Sequence, residues 1–317
     1  MADASAGRLP GHRAEPRRRR GFRRGVGRAL GPLPWIGPAI ALIGLVVLLP
    51  VFFMFYTAFR SIDIVGFDHG WAGWRDFGRL FAEPSLTSVV LRTVVWVAVI
   101  VTVTMLISLA LAQLFHQRFP GRRVTRWALI APWAASVFMT SVIFRWMLNP
   151  NSGLINVFLH DVGLVGRLGS AQADWLGRPY AAFCWMIGVA VFVSVPFTTY
   201  ALLAGLQTIP APVYEAATVD GAGPARTYFS ITLPMLRPAL VVAALINIMN
   251  VFNNFPIIWA MTGGGPGHQT ATTTVFMYQI KASSIPESAA LSVVNFGIVI
   301  ILVLIFLRLS KWKAEVD

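Results

Sequence analysis

Acidic residues are scarce in this chain, and their distribution excludes more than their number does. None of the thirteen aspartates and glutamates falls in the long apolar stretches near 35–58, 87–115, 125–147, 180–205, 236–261 and 288–309. A proton-driven carrier needs a carboxylate or histidine at membrane depth to bind and release the ion, so that mechanism loses its support. Sodium coupling through backbone and hydroxyl ligands stays open. Lysine is rarer still. Lys281, Lys311 and Lys313 are the only three, and none follows a glycine. A Gly-Lys-Ser/Thr phosphate loop is therefore excluded, and with it a P-loop ATPase site on this chain. The histidines, His12, His69, His116, His160 and His268, show no metal-ligand spacing. No Gly-x-Ser-x-Gly elbow occurs, which leaves a serine hydrolase without its nucleophile turn. Cys184 is the single cysteine, so an internal disulfide is impossible, and it reads as a small buried hydrophobe within a span.

What is present is apolar. Hydrophobic residues make up 56% of the chain, charged ones 12%, and the mean hydropathy is +0.67. A helix crossing the roughly 30 Å hydrocarbon layer needs about 20 apolar residues. The six stretches meet that length, and they are too long and too uniformly apolar for barrel strands. The expected fold is an all-α membrane protein with six transmembrane helices. The second stretch is long enough to tilt or project beyond the bilayer.

The net charge of +13 is concentrated before the first span, where Arg17, Arg18, Arg19, Arg20, Arg23 and Arg24 crowd together. Such a block is attracted to anionic membrane lipids, and no folded module accompanies it that would bind nucleic acid. Residues 1–33 read as a disordered cytoplasmic tail, 34–310 as the membrane domain and 311–317 as a short cytoplasmic end. The apolar run from Trp35 to Phe59 exceeds a signal-peptide core, so it reads as an uncleaved first span. Positive charge marks inside loops. Arg118, Arg122, Arg123 and Arg126 then lie inside, as do Arg308, Lys311 and Lys313, which puts both termini in the cytoplasm of a multi-pass cell-membrane protein. The same alternation puts the segment 207–235 inside.

That segment is a polar, helix-forming, Pro- and Gly-punctuated insert between two spans. Pro210 and Pro212 suit the first turn of a helix that runs from Val213 to Asp220. Gly221 and Gly223 break it, and Pro224 starts a second short helix expected to end before Pro234. Two short helices joined at a turn make a knob suited to docking on something soluble.

The spacing Glu215-Ala216-Ala217, Asp220-Gly221-Ala222, Ile231, Leu233-Pro234, flanked by Gly205–Pro210, resembles the EAA signature of binding-protein-dependent ABC importer permeases. Thr262-Gly263-Gly264-Gly265-Pro266 with Thr270 and Thr272 is similar to the carbohydrate-uptake branch of the maltose and glycerol-phosphate type, as is Gly153-Leu154-Ile155-Asn156. Taken alone, the glycine run would be a flexible outside turn. The resemblance covers roughly 35–310 and implies the type I ABC importer permease fold. It also implies a second homologous permease subunit, two ATP-binding subunits and an extracytoplasmic solute-binding protein. Under it this chain is a pore-forming subunit that is not itself an enzyme. It binds no cofactor, and ATP and Mg are used by the partner ATPase. Glu215 would be the polar anchor on the ATPase. Ala216 and Ala217 would keep the knob slim, and Gly221 would permit its turn. Asp220, Ile231, Leu233 and Pro234 complete the coupling set. The function so implied is uptake of a sugar or oligosaccharide. The alternatives are a permease for glycerol 3-phosphate or another small polar solute, or, in a different class, an ion-coupled carrier.

The fifth stretch carries Asn247, Asn250 and Asn254 at helical spacing, beside Phe255, while Tyr200, Thr198 and Thr199 lie on the fourth. Amides and flat aromatic faces suit a sugar pathway. They equally suit hydrogen bonds between helices, and both uses stand at this point. Arg92 and Arg145, near outer span ends, read as snorkelling side chains.

Overall fold

The computed structural model describes residues 33–314 except 118 and 165. Nearly all of the predicted tail and residues 315–317 lie outside the described residues. The first helix begins at Leu33 as α1 (Leu33–Ile43), passes through a π turn (Gly44–Leu48) and continues as α2 (Leu49–Ala58). The π turn has a local cause. Pro50 cannot donate to the carbonyl four residues back and its ring crowds it, so the backbone widens, and the N–H of Leu49 bonds to Gly44 five residues away. Trp35–Ala58 is long and apolar enough to cross a membrane.

From Met54 onward the chain forms a second unit with its own core. A short antiparallel hairpin, β1 (Arg60–Ile62) with β2 (Asp68–Trp71), departs from the all-helical expectation. Asp63 builds its turn, as one carboxylate oxygen accepts the N–H groups of Val65, Gly66 and Phe67. The bond from Phe67 leads the causes that hold the Asp63 carboxyl below its ordinary pKa. Arg60 pairs with Asp68 at 2.7 Å and lowers that carboxyl too. The helix α3 (Arg75–Ala82) follows.

The scaffold of this unit is α4 (Pro84–His116), 33 residues long, packed along α8 (Pro179–Gln207). Its buried residues are Leu86, Val89, Thr93, Trp96, Ile100, Thr104, Ser108, Ala112 and Phe115, three or four apart, so one face alone turns to the protein. Large residues fill the upper half, where Trp96 is fully buried and donates to the Val251 carbonyl. Small ones at Thr104, Ser108 and Ala112 let helices approach, and Ser108 donates to the Val195 carbonyl.

Two expected spans are broken. Residues 125–147 form α5 (Arg122–Trp133) and α6 (Val137–Met147), parted where Ser136 takes an extended backbone. Residues 236–261 form α11 (Leu233–Phe252) and α12 (Pro256–Thr262), parted at Asn253–Phe255. Pro256 has no N–H to continue the ladder and begins a new helix instead. Backbone released at membrane depth is tolerated where it borders a cavity, and both breaks do. Between α6 and α8 lies α7 (Leu154–Asp161). The chain ends with α13 (Thr273–Ile280) and α14 (Ile285–Ala314), the last apolar span.

Cys184 is exposed rather than buried, on a face of α8 that the described residues leave uncovered.

Candidate functional site

The polar insert folds into a knob. Its first helix is α9 (Ala211–Val219), with Pro212 in the first turn. It stops in a left-handed turn at Gly221, φ +71°. There the Ala222 N–H reaches Ala217 and the Gly221 N–H reaches Thr218, the paired bonds of a Schellman stop. Pro224 opens α10 (Pro224–Thr227). The expectation that this second helix ends before Pro234 is not met. A π turn (Tyr228–Thr232) joins it to α11 without interruption, with the Leu233 N–H bonded to Tyr228. The cause is the one seen at Pro50: the widened turn makes room for the ring of Pro234 and its missing N–H.

Within the knob, Ala217 is buried, whereas Glu215, Ala216, Asp220 and Gly221 are exposed. The Glu215 carboxylate has no partner among the described residues. Tyr214 links the two helices, because the Thr232 hydroxyl donates to its phenol oxygen. Ile231 and Leu233 are half-buried and Pro234 is exposed. Val219 and Phe229 stand out as exposed apolar residues. At the base, Gly205 holds α8 against α11. A Cβ there would lie 2.4 Å from the Cβ of Ala239.

The asparagines surround a cavity of about 410 Å³. Asn247, Asn250, Asn253 and Asn254 line one side, facing Trp133, Val137, Phe197 and Thr198. Asn247 donates to the Thr198 hydroxyl at 3.5 Å. Asn254 lies past the end of α11, so it does not share a helical face with Asn247 and Asn250. Its side chain instead accepts the Ile257 N–H and caps α12. The Asn250 amide is exposed and has no partner among the described residues. Phe255 does not line the cavity; it stacks on Trp259 at 5.3 Å and meets Tyr278 edge-on. Tyr200 is elsewhere as well, its hydroxyl bonded to the Arg126 carbonyl. Sequence reasoning missed Trp133 and Val137, which reach the cavity only because the third stretch breaks beside them.

At the opposite end, the glycine run is packed rather than loose. Gly264 has φ +85°, and a Cβ there would sit 2.7 Å from Gln279 Nε2. The Gln279 amide donates to the Gly263 carbonyl, and Thr262 and Thr270 share a hydrogen bond at 2.8 Å. Arg92 donates to the His268 carbonyl, and Arg145 to the Ala260 carbonyl at the end of α12. These arginines clamp backbone and do not merely snorkel. Asn156 is fully buried. It donates to the carbonyls of Leu148, Asn149 and Ala173 and accepts from the Trp175 indole.

The chain is 34% identical over 275 residues to a probable ABC transporter permease protein of Brucella suis biovar 1 (strain 1330), covering 86% of this chain and 94% of the relative. It is 32% identical to the sulfoquinovosyl glycerol transport system permease protein of Agrobacterium fabrum, covering 88% and 89%. Among solved structures, a bacterial alginate ABC transporter in complex with its alginate pentasaccharide-bound periplasmic protein has a similar fold. The TM-score is 0.78 at 18% identity, over 92% of this chain and 97% of that one. The family model described as "binding-protein-dependent transport system inner membrane component" matches residues 104–312, a stretch that holds the knob, the asparagine cavity and the glycine run. The chain belongs to that family, the membrane-spanning permeases of ABC transporters.

Proposed function

We propose that this chain is one of two homologous permeases of an importer that takes up a sugar or oligosaccharide handed over by an extracytoplasmic binding protein. The knob would seat in one of two partner ATPases, with both chain termini on that side. One observation carries the reading. From Pro224 to Phe252 the backbone is helical without a gap, so the knob and the asparagine cavity are built on one element. Between Ile231 and Asn250 it spans roughly 30 Å at 1.5 Å per residue. A push on the knob would therefore reach the cavity as a movement of a rigid rod.

The lining supports a neutral polyol over a charged solute. It offers amides, hydroxyls and the faces of Trp133 and Phe197, with no ionisable side chain among the described residues. A phosphate or polyamine would call for charged partners there. The relative named for sulfoquinovosyl glycerol supports a sugar-bearing solute but not its neutrality, since that glycoside carries a sulfonate.

Proteoliposomes carrying the chain with its partner subunits test this. Glu215→Lys is expected to abolish ATP-driven sugar uptake while the chain remains inserted. Asn250→Leu is expected to weaken sugar affinity about tenfold, the worth of one or two hydrogen bonds. Normal uptake by Glu215→Lys would end the proposal.

A further inference from the structure

The arginines that open α5 have no acidic counterpart. No aspartate or glutamate occurs between Glu83 and Asp161. Neither Arg122 nor Arg123 makes an ion pair among the described residues. They differ from Arg126, which turns inward, donates to the Phe115 carbonyl at 2.8 Å and lies over the Phe115 ring. Arg122 makes only a long bond, 3.4 Å, to the Gln117 carbonyl, and Arg123 is exposed without a partner among the described residues. Beside them Val124 and Trp127 are 71% and 64% exposed. An arginine followed one turn later by an exposed tryptophan suits a helix end at a membrane–water boundary, with the charge among headgroups and the ring just beneath.

The same helix borders an apolar groove of about 280 Å³. Val191, Val195 and Pro196 form its floor and are buried, while Ile107 of α4, Ala128 of α5 and Phe192 of α8 form an exposed rim. Pro196 interrupts the hydrogen-bond ladder of α8 at this wall. Leu129, also in the lining, lies two turns from Arg122 on the same side of α5, about 10 Å along the axis.

We propose that this corner binds one anionic phospholipid, with its phosphate at Arg122 and Arg123 and one acyl chain in the groove. The arginines alone would accept any anion, and the groove alone any alkyl chain. A phospholipid joins the two over the distance that separates them. A zwitterionic lipid suits the corner less well, because its ammonium group would meet two cations and no carboxylate.

Photolabelling of the chain with its partner subunits, in phosphatidylcholine nanodiscs doped with phosphatidylglycerol bearing a diazirine on one acyl chain, tests the assignment. The label is expected on peptides covering Ile107 or residues 191–196. Unlabelled phosphatidylglycerol should displace it, and inorganic phosphate should not. Phosphatidylcholine carrying the same diazirine should label the groove poorly. Each arginine near the headgroups contributes about fivefold, so Arg122→Gln with Arg123→Gln should weaken the lipid's affinity roughly thirtyfold. Ala128→Trp, which fills the groove and spares both charges, should move the label off residues 191–196. Equal groove labelling by the two lipids would overturn the proposal, as would labelling that ignores the paired arginine substitutions. So would a groove labelled in the chain alone but silent in the assembly, since a partner subunit would then be its occupant.

Discussion

Single residues in this protein do two different jobs, and only some announce themselves in the sequence. The shape of the knob around Glu215 was legible because its spacing is fixed by a helix, a glycine stop and a second helix. Asn156 was visible within a motif, yet its work was not: it gathers three carbonyls and an indole N–H into one buried point. Asn156→Leu leaves those groups unpaired and should destabilise the fold by about 2–4 kcal/mol, read from thermal unfolding in detergent. Asn250→Leu, at an exposed amide without a partner among the described residues, should not show such a loss. Asp63 makes a separate prediction. Its carboxyl is held below the ordinary value by the hydrogen bond from Phe67 and the others in its turn. A lowered folded-state pKa means the turn is fully stabilised above about pH 4 and loses that support as pH falls further. Hydrogen exchange at Val65–Phe67 should quicken over that range relative to Asp63→Asn, whose turn has no such dependence.

At the scale of elements, hydropathy located the five helices among the described residues that are long and apolar enough to cross a membrane. It did not locate the interruptions, and the third expected span is two shorter helices. The fourth and sixth stretches are single helices, whereas the third and fifth break beside the cavity. Pro256 was a readable signal for one break. The other break has signals too, Pro132 and then Ser136, a residue type favoured just ahead of a helix. Contact between α8 and α11 shows how little tolerance the knob end has. At Gly205 even a methyl group would strike Ala239 and Leu236. Gly205→Leu should cost about 1–3 kcal/mol through overpacking and lower the unfolding temperature, while Gly188→Leu, where nothing lies within 4 Å, should be far milder. Equal effects at the two sites would show that helix propensity, not close approach, sets the requirement.

For the whole molecule, charge asymmetry gives an expected orientation, which labelling from either side of the membrane tests. Val219 is 87% exposed at the knob and Val65 is 75% exposed at the hairpin. In a Cys184→Ser background, a membrane-impermeant maleimide should label Val65→Cys in intact cells and Val219→Cys only in inverted vesicles. The reverse pattern would place the ATPase-facing side wrongly. The π turn ahead of Pro234 has one more consequence. It adds a residue to the winding, which turns everything before it by about 100° relative to a regular helix. A chimaera that grafts this knob onto another permease must therefore carry the donor segment through Pro234. A graft cut earlier, into a recipient helix without that extra residue, would present Glu215 to the wrong compass point, however faithfully its signature were copied.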